Sequence, residues 1–554
     1  MTLEIIAVGF GGLGLFLLGM WLITEGLRVA AAGSLEGLLA HWTSSRARGL
    51  LSGTLLTAAL QSSSAVTVAT LGFVNTGLLR FERAVWVIFG SNLGTTLTAW
   101  LVALIGFKFK VDILALPIIG VGAMLRVFAP TDRYRSLGMA LAGFGILFLG
   151  IETLADAFTD VAPSLPLEVG AYRWAVMVGS GVILTTLMQS SSAAIAVVLT
   201  ALAGGLLGLT DAAAVVIGAN VGTASTALIA TLGATANARR LALAHVMFNV
   251  FTAMVALLML YPLLGAVQIL MRGLALGSDP TTALAMFHTL FNLLGILLMW
   301  PVEPRMSRFL QTRFQRRQMT SGALQYLDGN VAGLPDAARV ALGKEFSRLL
   351  EQYPAAVGML ARERLQGDSL PADRRQVLDG IGEFLIDVSR RELTGAQAEI
   401  FMRGWHIQHN LVNIEDALAV LHENKHQLRS FTAAFQATEL LGAWLVRLQD
   451  TLAKDWVAID RGAEPGSFAA IGPAYESVKA TLLQRAMAGE LDRRVLDQSL
   501  QMISISRRII EQWYRALGHY QLLRGSTSPD LRGASDSDAG DAEAATATTI
   551  PRGD

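Results

Sequence analysis

The chain has 554 residues, 53% of them hydrophobic and 16% charged, with a formal net charge of zero and no cysteine. Such an apolar excess favours membrane-spanning segments over a purely soluble domain. The lack of cysteine excludes disulfides and thiolate metal sites. No basic stripe with interleaved aromatic residues is present, so we expect no nucleic-acid binding.

Charged residues are distributed very unevenly. Residues 1–300 hold 26 of the 88 Asp, Glu, Lys and Arg residues. Segments without any charge cover 49–79, 84–107, 174–210 and 212–238, and a spanning helix needs roughly 20 such residues. The sequence therefore predicts a membrane half (1–303), which begins with an uncleaved first span, and a polar second half.

The last apolar segment, 281–302, is followed by a cluster of basic residues. Five arginines follow it within 13 residues: Arg305, Arg308, Arg313, Arg316 and Arg317. Basic residues next to spans lie on the cytoplasmic side. We predict a juxtamembrane linker at 304–317, an inner-membrane location and a cytoplasmic C-terminal half.

An internal duplication dominates the membrane half. The sequence Gln-Ser-Ser-Ser-Ala occurs at 61–65 and again 128 positions later, at 189–193. In both copies an Asn-x-Gly-Thr element begins 31 residues after the glutamine, at Asn92 and Asn220. This self-similarity predicts two repeats, at about 5–130 and 136–265, with 281–302 as a closing helix.

Each Gln-Ser-Ser-Ser lies in the middle of an uncharged stretch that is longer than one helix requires. We predict that 49–79 and 174–210 are broken-helix hairpins that turn back at these residues. Three crossings between them (84–107, 112–128 and 136–158) would place the hairpins on opposite sides, as an inverted repeat. If each stretch crossed fully, the repeats would instead be parallel.

The duplicated polar residues carry the chemistry of the predicted site. A buried hydroxyl or amide without a partner costs on the order of 1–3 kcal/mol. Such oxygens are ligands for a small cation, and O–H and N–H groups donate to an oxyanion. Since the uncharged stretches contain no Lys or Arg, an anion there would be compensated by helix dipoles and a bound cation. The alternative is that these small polar residues only pack helices.

Two further sets of polar residues are weaker candidates. His245 and His288 lie in two copies of His-x-x-Phe-Asn, where we expect helix-end hydrogen bonds rather than a substrate or proton function. Glu152 and Asp156 either line a pore or, with Asp160 at the same spacing, form a solvated helix end.

These paired motifs resemble sodium-dependent phosphate cotransporters of the Na/Pi type II class over residues 5–303. The resemblance implies a sodium/phosphate symporter with inverted repeats, in which sodium associates with Gln189, Ser190, Thr223 and Thr226. Ala224 stands where the family has a second threonine, which leaves the number of sodium sites open. By position, the resemblance implies the binding residues Gln61, Ser62, Ser63, Ser64, Asn92, Thr95, Thr96, Gln189, Ser190, Ser191, Ser192, Asn220, Thr223 and Thr226.

The polar half shows apolar residues at helical spacing between 318 and 525, which predicts an antiparallel helical bundle. It is similar to PhoU-like bundles, which use acidic pairs four residues apart to bind metals. Glu383 and Asp387 have that spacing, but Val412 replaces an acid four residues before Asp416. A solvated charged face is therefore favoured over a metal cluster. Residues 526–554 are predicted to be disordered.

Together these features predict an all-α polytopic membrane protein with a cytoplasmic helical bundle. The predicted function is sodium-coupled symport of inorganic phosphate, with phosphate, Na⁺ and the lipid bilayer as partners and no cofactor. The bundle would regulate transport, as a homo-oligomer or through a cytoplasmic partner. The alternatives are a membrane-anchored phosphate sensor and an exporter of phosphate or another oxyanion. We expect no enzyme, because no nucleophile–base set or phosphate loop stands out.

Overall fold

The computed structural model describes residues 2–106, 111–161, 172–231, 234–313, 322–361, 373–391, 393–429, 435–464 and 466–525. These residues form helices and turns, with no strand among them. They separate into two compact units, one up to Arg313 and one from Gly322 onward. Arg316, Arg317 and the predicted tail at 526–554 lie outside the described residues.

The first unit contains thirteen α-helices in its described residues. They are α1 (Thr2–His41), α2 (Arg46–Leu60), α3 (Ser63–Asn75), α4 (Phe81–Gly94), α5 (Thr96–Leu101) with a π-helical turn (Val102–Gly106), α6 (Val111–Phe128), α7 (Asp132–Val161), α8 (Arg173–Met188), α9 (Ser191–Ala203), α10 (Leu209–Ile229), α11 (Ala236–Leu258), α12 (Leu260–Gly273) and α13 (Pro280–Gln311).

Six segments of the described chain are long and apolar enough to cross a membrane. They are Ala7–Ala30, Phe81–Leu104, Asp132–Thr159, Leu209–Ile229, Ala236–Leu258 and Pro280–Gln311. The shorter apolar helices include α3, α8 and α9, which are the arms of the predicted hairpins. The prediction of an all-α polytopic membrane protein is confirmed.

Both predicted hairpins are present, and each breaks at the glutamine. Helix α2 ends at Leu60 and α3 begins at Ser63, while α8 ends at Met188 and α9 begins at Ser191. Arms of 13 to 16 residues reach only about 20–24 Å at 1.5 Å per residue. Each arm is therefore shorter than the roughly 30 Å hydrocarbon core.

The two hairpins open toward opposite ends of the unit. Arg46, at the start of α2, pairs with Glu303 near the end of α13, at 3.4 Å. Helix α7 packs antiparallel to α1, with Leu154 against Gly12 and Ser136 against Gly26. Because α1 leads directly into α2, the start of α7 lies at the open end of hairpin α2–α3 and its last turns lie at the other end. Gly204, which ends α9, contacts Ala155 and Phe158 in those last turns. These contacts agree with the inverted arrangement and not with the parallel one.

The closing helix α13 is longer than the sequence predicts. It continues nine residues beyond 302, through Pro304, to Gln311. Glu303 is buried in this extension, accepts a 2.6 Å hydrogen bond from the Ser307 hydroxyl and pairs with Arg46. These contacts hold the extension against α2, where the sequence predicts a linker.

The second unit is a helical bundle. Its described helices are α14 (Gly329–Ala332), α15 (Pro335–Leu350), α16 (Tyr353–Ala361), α17 (Asp373–Ser389), α18 (Gly395–Arg429), α19 (Phe435–Asp460), α20 (Phe468–Met487) and α21 (Arg493–Gly525). They enclose one apolar core, in which Trp444, Trp513 and Phe346 are almost fully buried. Asp387 pairs with Arg391 on the surface, and Glu383 is exposed.

A buried ion pair joins two helices of this bundle. The Arg374 guanidinium on α17 donates to both carboxylate oxygens of Glu415 on α18, at 2.6 and 3.3 Å. Tyr353 lies beneath the guanidinium, and burial, reinforced by the Glu415 carboxylate, raises the pKa of Tyr353 well above its ordinary value. The neighbouring pair Arg375–Asp416 joins the same two helices but is exposed.

Replacing Glu415 with alanine should destabilise the bundle far more than the same change at Asp416. The first variant leaves the buried Arg374 charge unpaired, at a cost of about 3–5 kcal/mol, whereas an exposed pair contributes about 0–1 kcal/mol. We would heat the purified full-length variants and follow protease cleavage of the bundle. If the midpoint temperature of cleavage falls equally in the Glu415 and Asp416 variants, burial does not distinguish the two ion pairs.

Candidate functional site

The two hairpin turns share one backbone conformation. Gln61 has φ 52° and ψ 28°, and Gln189 has φ 52° and ψ 24°. Positive φ is uncommon for residues other than glycine, and in the described chain Ala275 is the one further non-glycine case. The next residue, Ser62 or Ser190, caps the following helix by accepting a 3.2 Å hydrogen bond from the Ala65 or Ala193 amide. The motif therefore ends one helix and starts the next within two residues.

Each glutamine side chain completes its own turn. The Nε2 atom of Gln61 donates to the Ala58 carbonyl at 2.6 Å, and that of Gln189 donates to the Thr186 carbonyl at 2.5 Å. These bonds satisfy one of the terminal carbonyls that every helix leaves without an intrahelical partner. Because Nε2 is used for capping, the Oε1 atom is left to accept a hydrogen bond or to bind a cation.

Thr98 brings residues of the two repeats together. Its hydroxyl donates to Gln61 Oε1 at 2.7 Å and lies 3.4 Å from the Ser192 hydroxyl of the other hairpin. Thr98 and Ser192 are both buried. Thr98 is therefore a contact between the two predicted halves of the site, although only its repeat counterpart, Thr226, is among the predicted residues.

The asparagines of the Asn-x-Gly-Thr elements face the closing helices. Asn92 Oδ1 lies 3.4 Å from His245 Nε2 on α11, and Asn220 Nδ2 donates to Asn292 Oδ1 on α13 at 3.1 Å. Asn249, also on α11, donates to the Thr223 hydroxyl at 2.9 Å. The predicted site therefore extends onto α11 and α13. These helices contribute Asn249 and Asn292, the asparagines that end the two His-x-x-Phe-Asn motifs.

The predicted helix-end role of the two histidines is wrong. His245 lies inside α11 and His288 inside α13, and both side chains are buried. The histidines and asparagines of each motif are four residues apart, so they share one helix face. The recurrence of the motif was the available signal that α11 and α13 contribute to the site. Glu152 and Asp156 are exposed near the end of α7, and the Asp160 side chain is outside the described residues.

Several buried polar atoms of this region lack a hydrogen-bond partner among the described residues. They include Asn92 Nδ2, Asn220 Oδ1 and Asn249 Oδ1, together with Nδ1 of His245 and both ring nitrogens of His288. An amide oxygen can bind a hard cation, and an amide N–H can donate to an oxyanion. The region therefore offers unused groups of both kinds within one buried polar network.

The hydroxyls of the other predicted threonines donate hydrogen bonds to carbonyls of their own helices. Thr95 and Thr223 donate to the carbonyls of Asn92 and Asn220, each at 2.6 Å. Thr96 and Thr226 likewise donate to carbonyls three residues earlier. Their oxygens retain lone pairs that can accept a hydrogen bond or bind a cation. Gln189 is exposed, unlike the half-buried Gln61.

No group of three or more His, Cys, Asp or Glu residues suited to a metal ion occurs in the described part of the chain. The polar side chains of the region are hydroxyls, amides and the imidazoles of His245 and His288, and its neutral oxygens and amide groups suit monovalent cations and oxyanions better than a tightly bound transition metal.

Comparison with known proteins identifies the family. The Na⁺/Pi-cotransporter family model matches residues 15–156 and 171–278, and each matched segment contains one Gln-Ser-Ser-Ser turn. The uncharacterized protein YqeW of Bacillus subtilis is 33% identical over 306 residues, which are 54% of this chain and 95% of YqeW. The chain belongs to the Na⁺/Pi-cotransporter family.

Two further relatives are similar to other shares of the chain. The proposed inorganic phosphate export protein YjbB of Salmonella typhimurium is 25% identical over 421 residues, covering 73% of this chain and 74% of YjbB. The sodium-dependent phosphate transport protein 2A of Oryctolagus cuniculus is 41% identical over 64 residues, 12% of this chain and 10% of that protein. No solved structure matches the chain.

Proposed function

We propose that this chain is a secondary active transporter that couples Na⁺ to the movement of inorganic phosphate across the inner membrane. The observation that carries the proposal is the meeting of the two hairpins at Thr98, which touches Gln61 and Ser192. A membrane protein keeps broken helices at its centre where they line a cavity or are buried in protein. Family membership and the export and transport names of its relatives support phosphate as the substrate.

In this proposal, uncharged groups bind both Na⁺ and phosphate. The unpaired amide oxygens of Asn220 and Asn249 are ligands of the kind that Na⁺ requires. The starts of α3 and α9 at the hairpin turns offer backbone N–H groups and a partial positive charge for phosphate. Each ion then lowers the electrostatic cost of the other, which is the physical basis of coupling.

We assign the ligands accordingly. Sodium would bind at Gln189, Ser190, Thr223 and Thr226, with Asn220 and Asn249 added because their Oδ1 atoms are unpaired. The other predicted residues would complete the phosphate site: Gln61, Ser62, Ser63, Ser64, Asn92, Thr95, Thr96, Ser191 and Ser192.

Export is a second candidate, favoured by one specific observation. The relatives named for phosphate export align over about 420 residues, whereas the first unit ends near residue 314. Their likeness to this chain therefore extends beyond the length of the membrane unit. We propose that the second unit is a PhoU-like cytoplasmic regulator, through which net direction is controlled in response to phosphate.

Phosphate flux into liposomes tests the proposal. With purified full-length protein, an inward Na⁺ gradient should drive accumulation of radiolabelled phosphate above equilibrium, and replacing Na⁺ with K⁺ should abolish it. A chain ending at 313 should retain Na⁺-dependent flux, because the proposed ligands all lie in the first unit. Efflux from preloaded liposomes measures the export direction.

Equal flux in Na⁺ and K⁺ would exclude sodium coupling while leaving phosphate transport in place. Phosphate binding without flux in either direction would favour a sensor. Arsenate and sulfate serve as competing tetrahedral oxyanions, and stronger competition by sulfate than by unlabelled phosphate would overturn the substrate assignment.

A further inference from the structure

Equivalent residues of the two repeats make different hydrogen bonds. Gln61 and Gln189 correspond, as do Thr98 and Thr226, at an offset of 128. Both glutamines have the same backbone angles and the same Nε2 capping bond. Their Oε1 atoms therefore leave the two turns in the same local direction, and the difference lies in the threonine each would meet.

In the first repeat the equivalent residues are bonded. Thr98 donates to Gln61 Oε1 at 2.7 Å, is only 4% exposed and also approaches Ser192. In the second repeat Thr226 instead donates to its own helix, at the Thr223 carbonyl, and Gln189 is exposed. The first hairpin turn is thus closed against its threonine and the second is open.

The helices that carry the threonines differ in the same way. Helix α4 ends at Gly94, α5 restarts at Thr96 and a π-helical turn follows from Val102 to Gly106. Its counterpart α10 is continuous from Leu209 to Ile229. Thr95, between α4 and α5, keeps helical backbone angles (φ −63°, ψ −21°), so the difference between the two helices lies in the π-helical turn, a feature that is frequent at functional sites. The Thr98 hydroxyl donates to Gln61 instead of to the carbonyl three residues earlier, which is the bond that Thr226 makes.

The exposed amide of Gln189 lies at a hairpin turn of a membrane protein, and this position limits what it can face. Helix α8 has 16 residues, so the turn of hairpin α8–α9 lies up to about 24 Å from the start of the helix, within the roughly 30 Å hydrocarbon core. A polar group at that depth has to face water or protein rather than lipid. The exposed Gln189 amide therefore faces water.

We propose that the Gln61–Thr98 and Gln189–Thr226 bonds form alternately and close the site toward opposite ends of the unit. This inference rests on the proposed transport function and deepens it. In the structure the Gln61–Thr98 bond closes the end at Arg46 and Glu303. In the opposite state Thr226 leaves the Thr223 carbonyl for Gln189, and Thr98 returns to a carbonyl of its own helix.

Cross-linking tests the alternation without measuring transport. Since the chain has no cysteine, the pair Gln189→Cys and Thr226→Cys is unique, and the rate at which a short methanethiosulfonate cross-linker joins it reports closure of the second turn. Adding Thr98→Val removes one hydroxyl at nearly constant volume. It should raise the cross-linking rate by about 3- to 10-fold, the effect of losing one hydrogen bond that holds the other state.

Two variants control for folding. Thr200→Val removes a buried hydroxyl that bonds only to the Ala196 carbonyl in its own helix and should leave the rate unchanged. Thr98→Ser keeps the hydroxyl and should restore the parental rate. An unchanged rate in Thr98→Val would overturn the alternation, as would equal acceleration by Thr200→Val. Because the assay contains neither sodium nor phosphate, either result is independent of the liposome experiment.

Discussion

Replacing Gln189 with glycine should reduce phosphate flux by roughly 10- to 100-fold while leaving the yield of folded protein unchanged or higher. Glycine adopts positive φ without the steric cost borne by other residues, about 1 kcal/mol or more, so the hairpin turn persists. Only the amide is lost. Removing one polar ligand of a bound ion typically costs about 1–3 kcal/mol, which corresponds to the expected loss of flux.

The control is a glycine substitution at another residue that has the same positive φ. Ala275, exposed after α12, also has φ 52°, and Ala275→Gly should leave flux unaltered. Liposome flux per reconstituted molecule is measured beside the elution profile in detergent. Full flux in Gln189→Gly would mean that the glutamine serves only the turn, and lost flux with an aggregated profile would leave the amide without a demonstrated role in binding.

The outline of the membrane unit followed from the sequence because its signals are local. Uncharged length, a duplicated polar motif and the number of crossings were enough to predict two oppositely oriented hairpins. The break at Gln61 and Gln189 was also predictable to within a residue or two. The length of α13 was not, because its extension depends on the tertiary contact between Glu303 and Arg46.

Only some of the residues that form the site could be predicted from the sequence. Residues inside the repeats could be found by self-similarity, but Asn249 and Asn292 lie on closing helices and join the site through contacts with Thr223 and Asn220. Nor could the sequence reveal that equivalent residues are in different states. Two nearly identical motifs predict identical local turns, whereas the Thr98 and Thr226 bonds depend on how each whole repeat is positioned.

A second prediction concerns the packing that holds each hairpin. In both repeats a glycine of the first arm meets the backbone of the helix that carries the Asn-x-Gly-Thr element. A Cβ atom on Gly181 would lie 2.0 Å from the Val215 carbonyl oxygen, and one on Gly53 would lie 2.0 Å from that of Val87. The matching distance in both repeats indicates that this close contact is part of the repeated design.

Gly181→Ala should therefore separate α8 from α10 and destabilise the protein, by more than the 1–3 kcal/mol typical of overpacking, because the obstructing atoms are backbone and cannot rotate away. Gly179→Ala, two residues earlier on the same helix, is the matched control, since its Cβ would meet no atom within 4 Å. Alanine also favours the helix by about 1 kcal/mol at either position, so intrinsic propensity cannot explain a difference between them.

The two glycine variants are compared by thermal unfolding in detergent and by flux in liposomes. We expect Gly179→Ala to equal or exceed the parent protein in stability and Gly181→Ala to lose both folded yield and transport. Similar behaviour of the two variants would show that α8 and α10 can move apart at little cost.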